Sequence, residues 1–333
     1  MKKKIAVIGD GGWGTTVAIL LCNKGYDVTI WGAFPEYIAL LKKERVNSKF
    51  LPGVKIPKEI SLISSIADIE KIPEEAIFVI ATPSKYLRET LGKFKGKIKS
   101  DKIVSLTKGI EIETLKRPSS VISEVLGKKK IAALSGPSIS FEVARNMPAT
   151  VVAACKDEAF AKEVQEIFAT PTFRVYTSSD LVGVEFGGAL KNIIAIAAGM
   201  SDGMGFGINT KAAILTRGIV EMSRLGVKMG AQKETFFGLS GLGDLATTCM
   251  SEHSRNRWLG EEIGKGKKLK EILKGTEMVI EGVTTTKSAY DLSKSEGVEM
   301  PITEKIYEAL YNDKEPKLAV KELMTRTPKP EGI

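Results

Sequence analysis

Lys3-Lys4-Ile5-Ala6-Val7-Ile8-Gly9-Asp10-Gly11-Gly12-Trp13-Gly14-Thr15 is a short apolar run that breaks at a glycine and resumes with helical spacing at Val17, Leu20 and Leu21. The reading is strand, tight turn, helix. In a G-x-G-x-x-G turn each glycine has its own task. Gly9 makes the turn, Gly11 lets a pyrophosphate approach the backbone, and Gly14 lets the helix lie close against the strand. The helix start offers unpaired N–H groups and a positive dipole end to phosphate oxygens. A dinucleotide is the expected ligand of this turn.

Outward from the turn, the first half of the chain alternates strand-like and amphipathic runs, the pattern of a parallel α/β sheet. Strands are expected at Lys4–Ile8, Asp27–Trp31, Ile77–Ala81, Lys102–Leu106, Ile131–Leu134, Thr150–Ala154 and Arg174–Tyr176. Helices are expected at Pro35–Glu44, Ser84–Phe94 and Phe160–Phe168. After Ser178-Ser179-Asp180 strand signals stop and helical patterns run on, with Ser178 or Ser179 suited to cap the first of them. The expected division is an α/β domain over residues 1–178 and an all-α domain over 179–333.

Composition narrows the function. The 333 residues are enough for two cores. No run approaches the length of a membrane-spanning helix, so membrane insertion is not expected. Met1-Lys2-Lys3-Lys4 resembles the basic start of a leader, but Gly9 to Gly14 interrupt the apolar run that a leader needs. Cys22, Cys155 and Cys249 are odd in number and far apart, and a single histidine is present, so a cytoplasmic protein with neither disulfides nor a metal site is expected. The net charge of +9 comes from 49 basic and 40 acidic residues. These are interleaved, as in Lys42-Lys43-Glu44-Arg45, which reads as solvated helix faces, not a nucleic-acid surface. A positive field also draws in an anionic substrate.

In an open parallel sheet, ligands bind beyond the carboxyl ends of the strands. Three polar motifs fall there: Ala81-Thr82-Pro83-Ser84, Thr107-Lys108-Gly109 and Ser135-Gly136-Pro137-Ser138. Lys108 is the one most suited to chemistry, since a cation at that edge can face a phosphate or polarise a carbonyl. The second strand ends Ile30-Trp31-Gly32-Ala33-Phe34, with none of the carboxylate that holds the ribose 2′-hydroxyl of NAD. That leans towards NADP(H), although Arg45 and Lys42 are the nearest cations and neither is adjacent.

The helical half holds a second cluster. Lys191 and Asn192 interrupt Val184-Glu185-Phe186-Gly187-Gly188-Ala189-Leu190-Lys191-Asn192-Ile193-Ile194, an otherwise apolar helix with small residues. A lysine buried there needs a partner or a task, and proton transfer is such a task. Gly187 and Gly188 permit close approach by a ligand or another backbone. Gly243-Asp244 follows in a glycine-rich loop, then Ser254-Arg255-Asn256-Arg257, which suits a phosphate or simply starts a helix. His253 lies among polar residues and reads as exposed, which leaves Lys191 as the proton donor.

In this order and combination the motifs resemble the soluble, bacterial NAD(P)-dependent glycerol-3-phosphate dehydrogenases. The resemblance rests on Gly9-x-Gly11-x-Trp13-Gly14-Thr15, Phe50-Leu51-Pro52-Gly53, Thr107-Lys108-Gly109-Ile110-Glu111 and Ser135-Gly136-Pro137-Ser138. It continues through Gly187-Gly188-Ala189-Leu190-Lys191-Asn192, Gly241-Leu242-Gly243-Asp244-Leu245, Ser254-Arg255-Asn256-Arg257 and Glu281-Gly282. It implies a Rossmann-like N-terminal domain, a helical C-terminal domain and a substrate held in the cleft between them. The reaction implied interconverts dihydroxyacetone phosphate and sn-glycerol 3-phosphate, which supplies phospholipid synthesis; a homodimer is left open.

Carried over residue by residue, Lys191 moves the proton, with Asp244 and Lys108 beside it in catalysis. Gly9, Gly11, Gly12, Trp13, Gly14, Ala33, Lys108, Ser140, Arg255, Val279 and Glu281 meet the cofactor. Lys108, Gly136, Ser138, Lys191, Asp244, Ser254, Arg255 and Asn256 meet the substrate. Relatives often carry His or Arg in place of Ala33, so NAD against NADP stays open. Ser140 stands where relatives often have Ala. Two competing readings are a 3-hydroxy-acid dehydrogenase of similar build and a non-catalytic dinucleotide sensor.

Overall fold

Alternation along β1 (Lys4–Ile8) sends its side chains into two different cores. Ile5 and Val7 join Val17, Leu21, Ile30 and Phe168, whereas Ala6 and Ile8 join Phe78, Leu91, Phe94 and Ile122. A strand buried on both faces belongs to a sheet covered by helices on each side. The computed structural model describes residues 2–276, 278–328 and 330–331. It divides into two units, Met1–Lys108 with Pro118–Leu181, and Gly109–Arg117 with Val182–Ile333.

In the first unit, β1 is followed by β2 (Asp27–Trp31), β3 (Val46–Asn47), β4 (Leu51–Lys55), β5 (Ser61–Ile63) and β6 (Ile77–Ile80). After these come β7 (Lys102–Ser105), β8 (Lys130–Ser135), β9 (Ala149–Ala154) and β10 (Phe173–Ser178). Its helices are α1 (Gly12–Asn23), α2 (Pro35–Glu44), α3 (Ile66–Glu70), α4 (Leu87–Gly92), α5 (Pro118–Leu126), α6 (Ser140–Ala144) and α7 (Glu158–Phe168). Among the described residues the main sheet runs β10-β9-β8-β7-β6-β1-β2-β5, and β3 and β4 form a separate antiparallel pair. The chain moves from β1 outward to β2 and β5, then returns to β6 on the other side of β1. That reversal is the switch point at which doubly wound sheets bind ligands.

The sheet departs from the parallel expectation at one place: β9 runs antiparallel to β8. The connection between them contains only the five-residue α6, and β9 turns back along β8 instead of crossing over. The short β5 and the β3–β4 pair also escape a reading based on apolar runs. The expected helix Ser84–Phe94 resolves into a 3₁₀ turn at Ser84–Tyr86 and then α4.

The second unit is helical: α8 (Leu181–Gly203), α9 (Ile208–Lys228), α10 (Asp244–Met250), α11 (Arg255–Gly264), α12 (Leu269–Lys274), α13 (Glu281–Ser295), α14 (Pro301–Tyr311) and α15 (Pro316–Met324). Ser178 Oγ accepts the Asp180 N–H at 3.0 Å just before α8. By length and composition α8 qualifies as a membrane-crossing helix, but 94% of its most apolar window is buried inside the protein. It is the core helix of this unit. Its crossing with α11 is a backbone contact: a Cβ on Gly199 would lie 1.9 Å from Arg257 O, and one on Gly260 would lie 2.0 Å from Ile196 O. Only glycine permits that approach.

Gly109–Arg117, which the sequence reading placed with residues 1–178, packs in the second unit instead. Ile110 is buried in the helical core, and its carbonyl accepts a hydrogen bond from Ser288 Oγ at 3.0 Å. Arg117 pairs with the buried Glu185 of α8. A buried isoleucine and a buried carboxylate that needs a cation draw this segment out of sequence order.

Glu221 on α9 illustrates how the helices are joined. Its carboxylate accepts the N–H groups of Ile302 (2.6 Å) and Thr303 (3.1 Å) and the Thr303 hydroxyl (3.2 Å) at the start of α14. Burial nevertheless pushes its carboxyl up to about 7, against the lowering effect of those donors. A raised carboxyl favours the protonated folded state, so its contribution is complete below pH 4.5 and is lost as pH rises to about 7. Urea unfolding of wild type and Glu221→Gln across this range should therefore diverge. Wild type should lose roughly 2–4 kcal/mol relative to the variant between pH 4.5 and 8; a difference that stays flat with pH would refute the linkage.

Candidate active site

The glycine turn is built by contacts of β1 with β2 and with the end of β6. Gly9 donates its N–H to Trp31 O (2.9 Å), and Ala81 donates to Ile8 O (2.9 Å). Gly9 has φ +123°, and a Cβ there would lie 2.7 Å from Ala81 O. At Gly14 a Cβ would lie 2.2 Å from Gly9 O, so the helix closes directly on the turn. Gly11 differs: a Cβ there would meet nothing within 4 Å. Gly11 is the N-cap of α1 and makes no side-chain cap, so the first N–H groups of α1, from Gly12 and Trp13, lack a side-chain acceptor from it. An open approach to a bare helix start fits the pyrophosphate of a dinucleotide.

The polar motifs expected at the strand ends are tied together. Thr82 Oγ1 donates to Ile8 O (3.2 Å), and Thr107 Oγ1 donates to Thr82 O (2.8 Å). Lys108 Nζ reaches Gly136 O at 3.4 Å, and Ser138 Oγ donates to the same carbonyl at 2.9 Å. Gly136 holds φ +146°, with Val151 Cα 2.9 Å from where a Cβ would sit. Ser140 enters through its backbone: Thr16 Oγ1 of α1 donates to Ser140 O at 3.1 Å. Ala33 is exposed just past β2.

In the helical unit, Lys191 is buried, and its Nζ donates to Asp244 Oδ1 (2.8 Å) and to Thr248 Oγ1 (2.6 Å). The Thr248 hydroxyl in turn donates to Asp244 O at 2.7 Å, one turn back on α10. The glycine-rich stretch before α10 is a single π-helical turn, Leu239–Gly243, in place of the loop expected there. Gly187 gives way to backbone and not to a ligand: a Cβ on it would lie 2.5 Å from Ser240 O. The ammonium thus sits in a buried, charge-compensated socket. Thr248 escaped the sequence reading, although its spacing of four from Asp244 places both on one helix face.

Asn192, next to Lys191, accepts the Asn256 amide at 2.9 Å, and Asn256 Oδ1 accepts the Gly282 N–H at 2.8 Å. Asn256 therefore joins α8, α11 and α13, with one amide proton left for a ligand. Ser254 caps α11 by accepting the Arg257 N–H at 3.2 Å, the helix-start alternative for this motif. Arg257 itself is held by Asp202 at 2.7 Å. Arg255 is half-buried and donates to Val279 O at 3.3 Å. Burial lowers its guanidinium from the ordinary value, and the charge of Glu281 works the other way. Ser254 and Arg255 line a cavity of about 260 Å³ with Trp258, Thr276, Met278 and Ile280. His253 is exposed at its rim.

Two family models match the chain: the NAD-dependent glycerol-3-phosphate dehydrogenase N-terminus over residues 4–161 and the C-terminus over residues 180–321. A glycerol-3-phosphate dehydrogenase [NAD(P)+] of Citrifermentans bemidjiense is 50% identical over 100% of both chains. One from Chlorobium phaeobacteroides is 49% identical over 98% of this chain and 99% of the relative. Among solved structures, glycerol-3-phosphate dehydrogenase from Coxiella burnetii has 36% identity and a TM-score of 0.93, covering 98% of this chain and 99% of that one. The Plasmodium falciparum enzyme has 26% identity and a TM-score of 0.86, covering 98% and 97%.

The socket makes its own prediction. Thr248→Val keeps the shape and removes the hydroxyl, leaving a buried ammonium proton unsatisfied. Urea unfolding should show a loss of about 1–3 kcal/mol, with Thr248→Ser losing less. Equal stability of Thr248→Val and wild type would contradict the socket.

Proposed function

The chain belongs to the NAD-dependent glycerol-3-phosphate dehydrogenase family, and we infer that it interconverts dihydroxyacetone phosphate and sn-glycerol 3-phosphate with NAD(P)(H). The observation that carries the reading is the buried Lys191 ammonium held by Asp244 and Thr248. A bound nicotinamide supplies the hydride for the ketone carbon. Reduction also requires one proton at the carbonyl oxygen. Lys191 Nζ donates it: an N–H bond breaks, the O–H bond forms, and solvent restores the proton to the amine. In oxidation the neutral amine accepts the hydroxyl proton.

The other residues prepare that transfer. Asp244 and Thr248 fix the direction of Nζ, which makes proton delivery a matter of position. Lys108 and Asn192 stabilise charge developing on the oxygen. Arg255 and Asn256 hold the substrate phosphate, together with Ser254, Gly136 and Ser138, so that binding remote from the carbonyl orients the reacting carbon. The first N–H groups of α1, from Gly12 and Trp13, hold the cofactor pyrophosphate beside Gly9, Gly11 and Gly14. Ser140, Ala33, Lys108, Arg255, Val279 and Glu281 complete the cofactor contacts. We place the activity in the cytoplasm, where Cys22, Cys155 and Cys249 stay as thiols.

Steady-state kinetics with dihydroxyacetone phosphate test the assignment. Lys191→Ala should lower kcat by roughly 10²–10⁴-fold; near-normal turnover would remove Lys191 from the chemistry. Arg255→Ala should raise KM for the phosphorylated substrate by roughly 10–100-fold, the worth of a charge-assisted phosphate contact. An unchanged KM would move the phosphate site elsewhere.

A further inference from the structure

The end of β2 lacks a carboxylate in the sequence, and the structure shows what stands in that place. Gly9 pairs with Trp31, the last residue of β2, through its N–H, so position 10 lies beside position 32. A Cβ on Gly32 would lie 2.4 Å from Asp10 Oδ2 and 2.8 Å from Asp10 Cγ. The Asp10 side chain therefore occupies the space that a side chain at position 32 would need. A carboxylate has reached the end of β2 from the glycine turn of β1.

One oxygen of this carboxylate has no partner among the described residues. Asp10 Oδ2 is buried and has no hydrogen-bond partner among the described residues, a costly condition for a charged oxygen. The polar neighbours are already occupied. Asn47 Nδ2 donates to the Asp10 backbone carbonyl (2.8 Å) and to Thr15 Oγ1 (2.8 Å), and Tyr37 donates to Asn47 Oδ1 (2.6 Å). Burial raises the Asp10 carboxyl above its ordinary value, against a hydrogen bond from its own backbone N–H and the charge of Lys49. Asp10 as a whole is only half-buried.

Of the cations near this place, Arg45 and Lys42 are turned elsewhere, and Lys49 lies near enough for its charge to act on Asp10. Arg45 directs Nη1 at Ile60 O (2.9 Å) and Pro57 O (3.3 Å), so its guanidinium is engaged by backbone. Lys42 lies in the last turn of α2, away from its N-terminus. Lys49 is exposed, with its ammonium over the Phe50 ring at 5.4 Å. In doubly wound sheets the end of β2 faces the 2′ position of the adenosine ribose.

We propose that Asp10 reads that 2′ position, accepting a hydrogen bond from a 2′-hydroxyl and repelling a 2′-phosphate, so that NAD(H) is bound in preference to NADP(H). This reverses the lean towards NADP(H), which considered only the residues that follow β2. It rests on the cofactor reading above. Like charges a few ångströms apart at a half-buried site oppose binding by at least a factor of ten.

Calorimetric titration of the whole chain at pH 8, without substrate, tests the proposal. The probes are NADH, NADPH, ADP and adenosine 2′,5′-bisphosphate. Wild type should bind NADH roughly tenfold or more tighter than NADPH, with the same order for the two adenosine fragments. Asp10→Asn and Asp10→Ala should bring the ratio within about threefold, chiefly by tightening NADPH; their thermal midpoints show that they are folded. Equal or tighter NADPH binding by wild type overturns the proposal, as does a ratio that neither variant changes. Failure of every probe to bind wild type would overturn the cofactor reading itself, a different result from loss of discrimination.

Discussion

A lysine ammonium inside a helical core has to be compensated, and the arrangement of the second unit follows from that requirement. Lys191 sits on α8, a helix apolar enough to pass for a membrane span yet almost wholly buried. Desolvating its charge without a partner would cost several kcal/mol. The carboxylate of Asp244 and the hydroxyl of Thr248 meet that need from one face of α10. For α10 to present them, the π-helical turn before it must come against Gly187, which it does at backbone distance. The glycine crossing of α8 with α11 then brings Asn256 to Asn192 and, through Gly282, fixes the start of α13. The groups that hold the lysine's surroundings in place are the same ones that aim it.

The first unit solves a different problem, which is how to leave polar groups unused. Strand ends and helix starts expose backbone donors and acceptors, and Thr82, Thr107 and Ser138 satisfy the carbonyls of Ile8, Thr82 and Gly136. At the glycine turn three features come together. The start of α1 has no side-chain cap, Gly11 faces open space, and Asp10 Oδ2 has no partner among the described residues. Donors without acceptors suit a pyrophosphate, and an acceptor without a donor suits a sugar hydroxyl. A dinucleotide presents both groups in one molecule.

Each unit holds a cation against a backbone carbonyl. Arg255 keeps a half-buried guanidinium whose burial penalty is eased by Glu281, and Lys108 is held against Gly136. Each cation reaches a backbone carbonyl, Val279 O for Arg255 and Gly136 O for Lys108. Arg257, by contrast, is already neutralised by Asp202. Three neighbouring polar residues of one motif thus divide into a helix cap at Ser254, a bridge at Asn256 and an ion pair at Arg257, with Arg255 left facing the cavity.

Local pattern was enough to reveal the strands of β1 and β2, the glycine turn, the long apolar α8 and the anomaly of Lys191 within it, because each is written in residues that are neighbours along the chain. Periodicity and a buried charge are one-dimensional signals. Thr248 as the second partner of Lys191, Asp10 in the space of a side chain at position 32, and Arg117 against Glu185 were decided only by tertiary structure. Each joins groups on separate elements, and which ones meet depends on how backbones cross. The antiparallel β9 and the passage of Gly109–Arg117 into the helical unit have the same origin. A connection that turns back instead of crossing over, and an isoleucine with no strand to join, are resolved by the space available in the folded chain. The sequence by itself determined which residues had to be explained, and the fold decided what explains them, since partners are chosen by proximity in three dimensions.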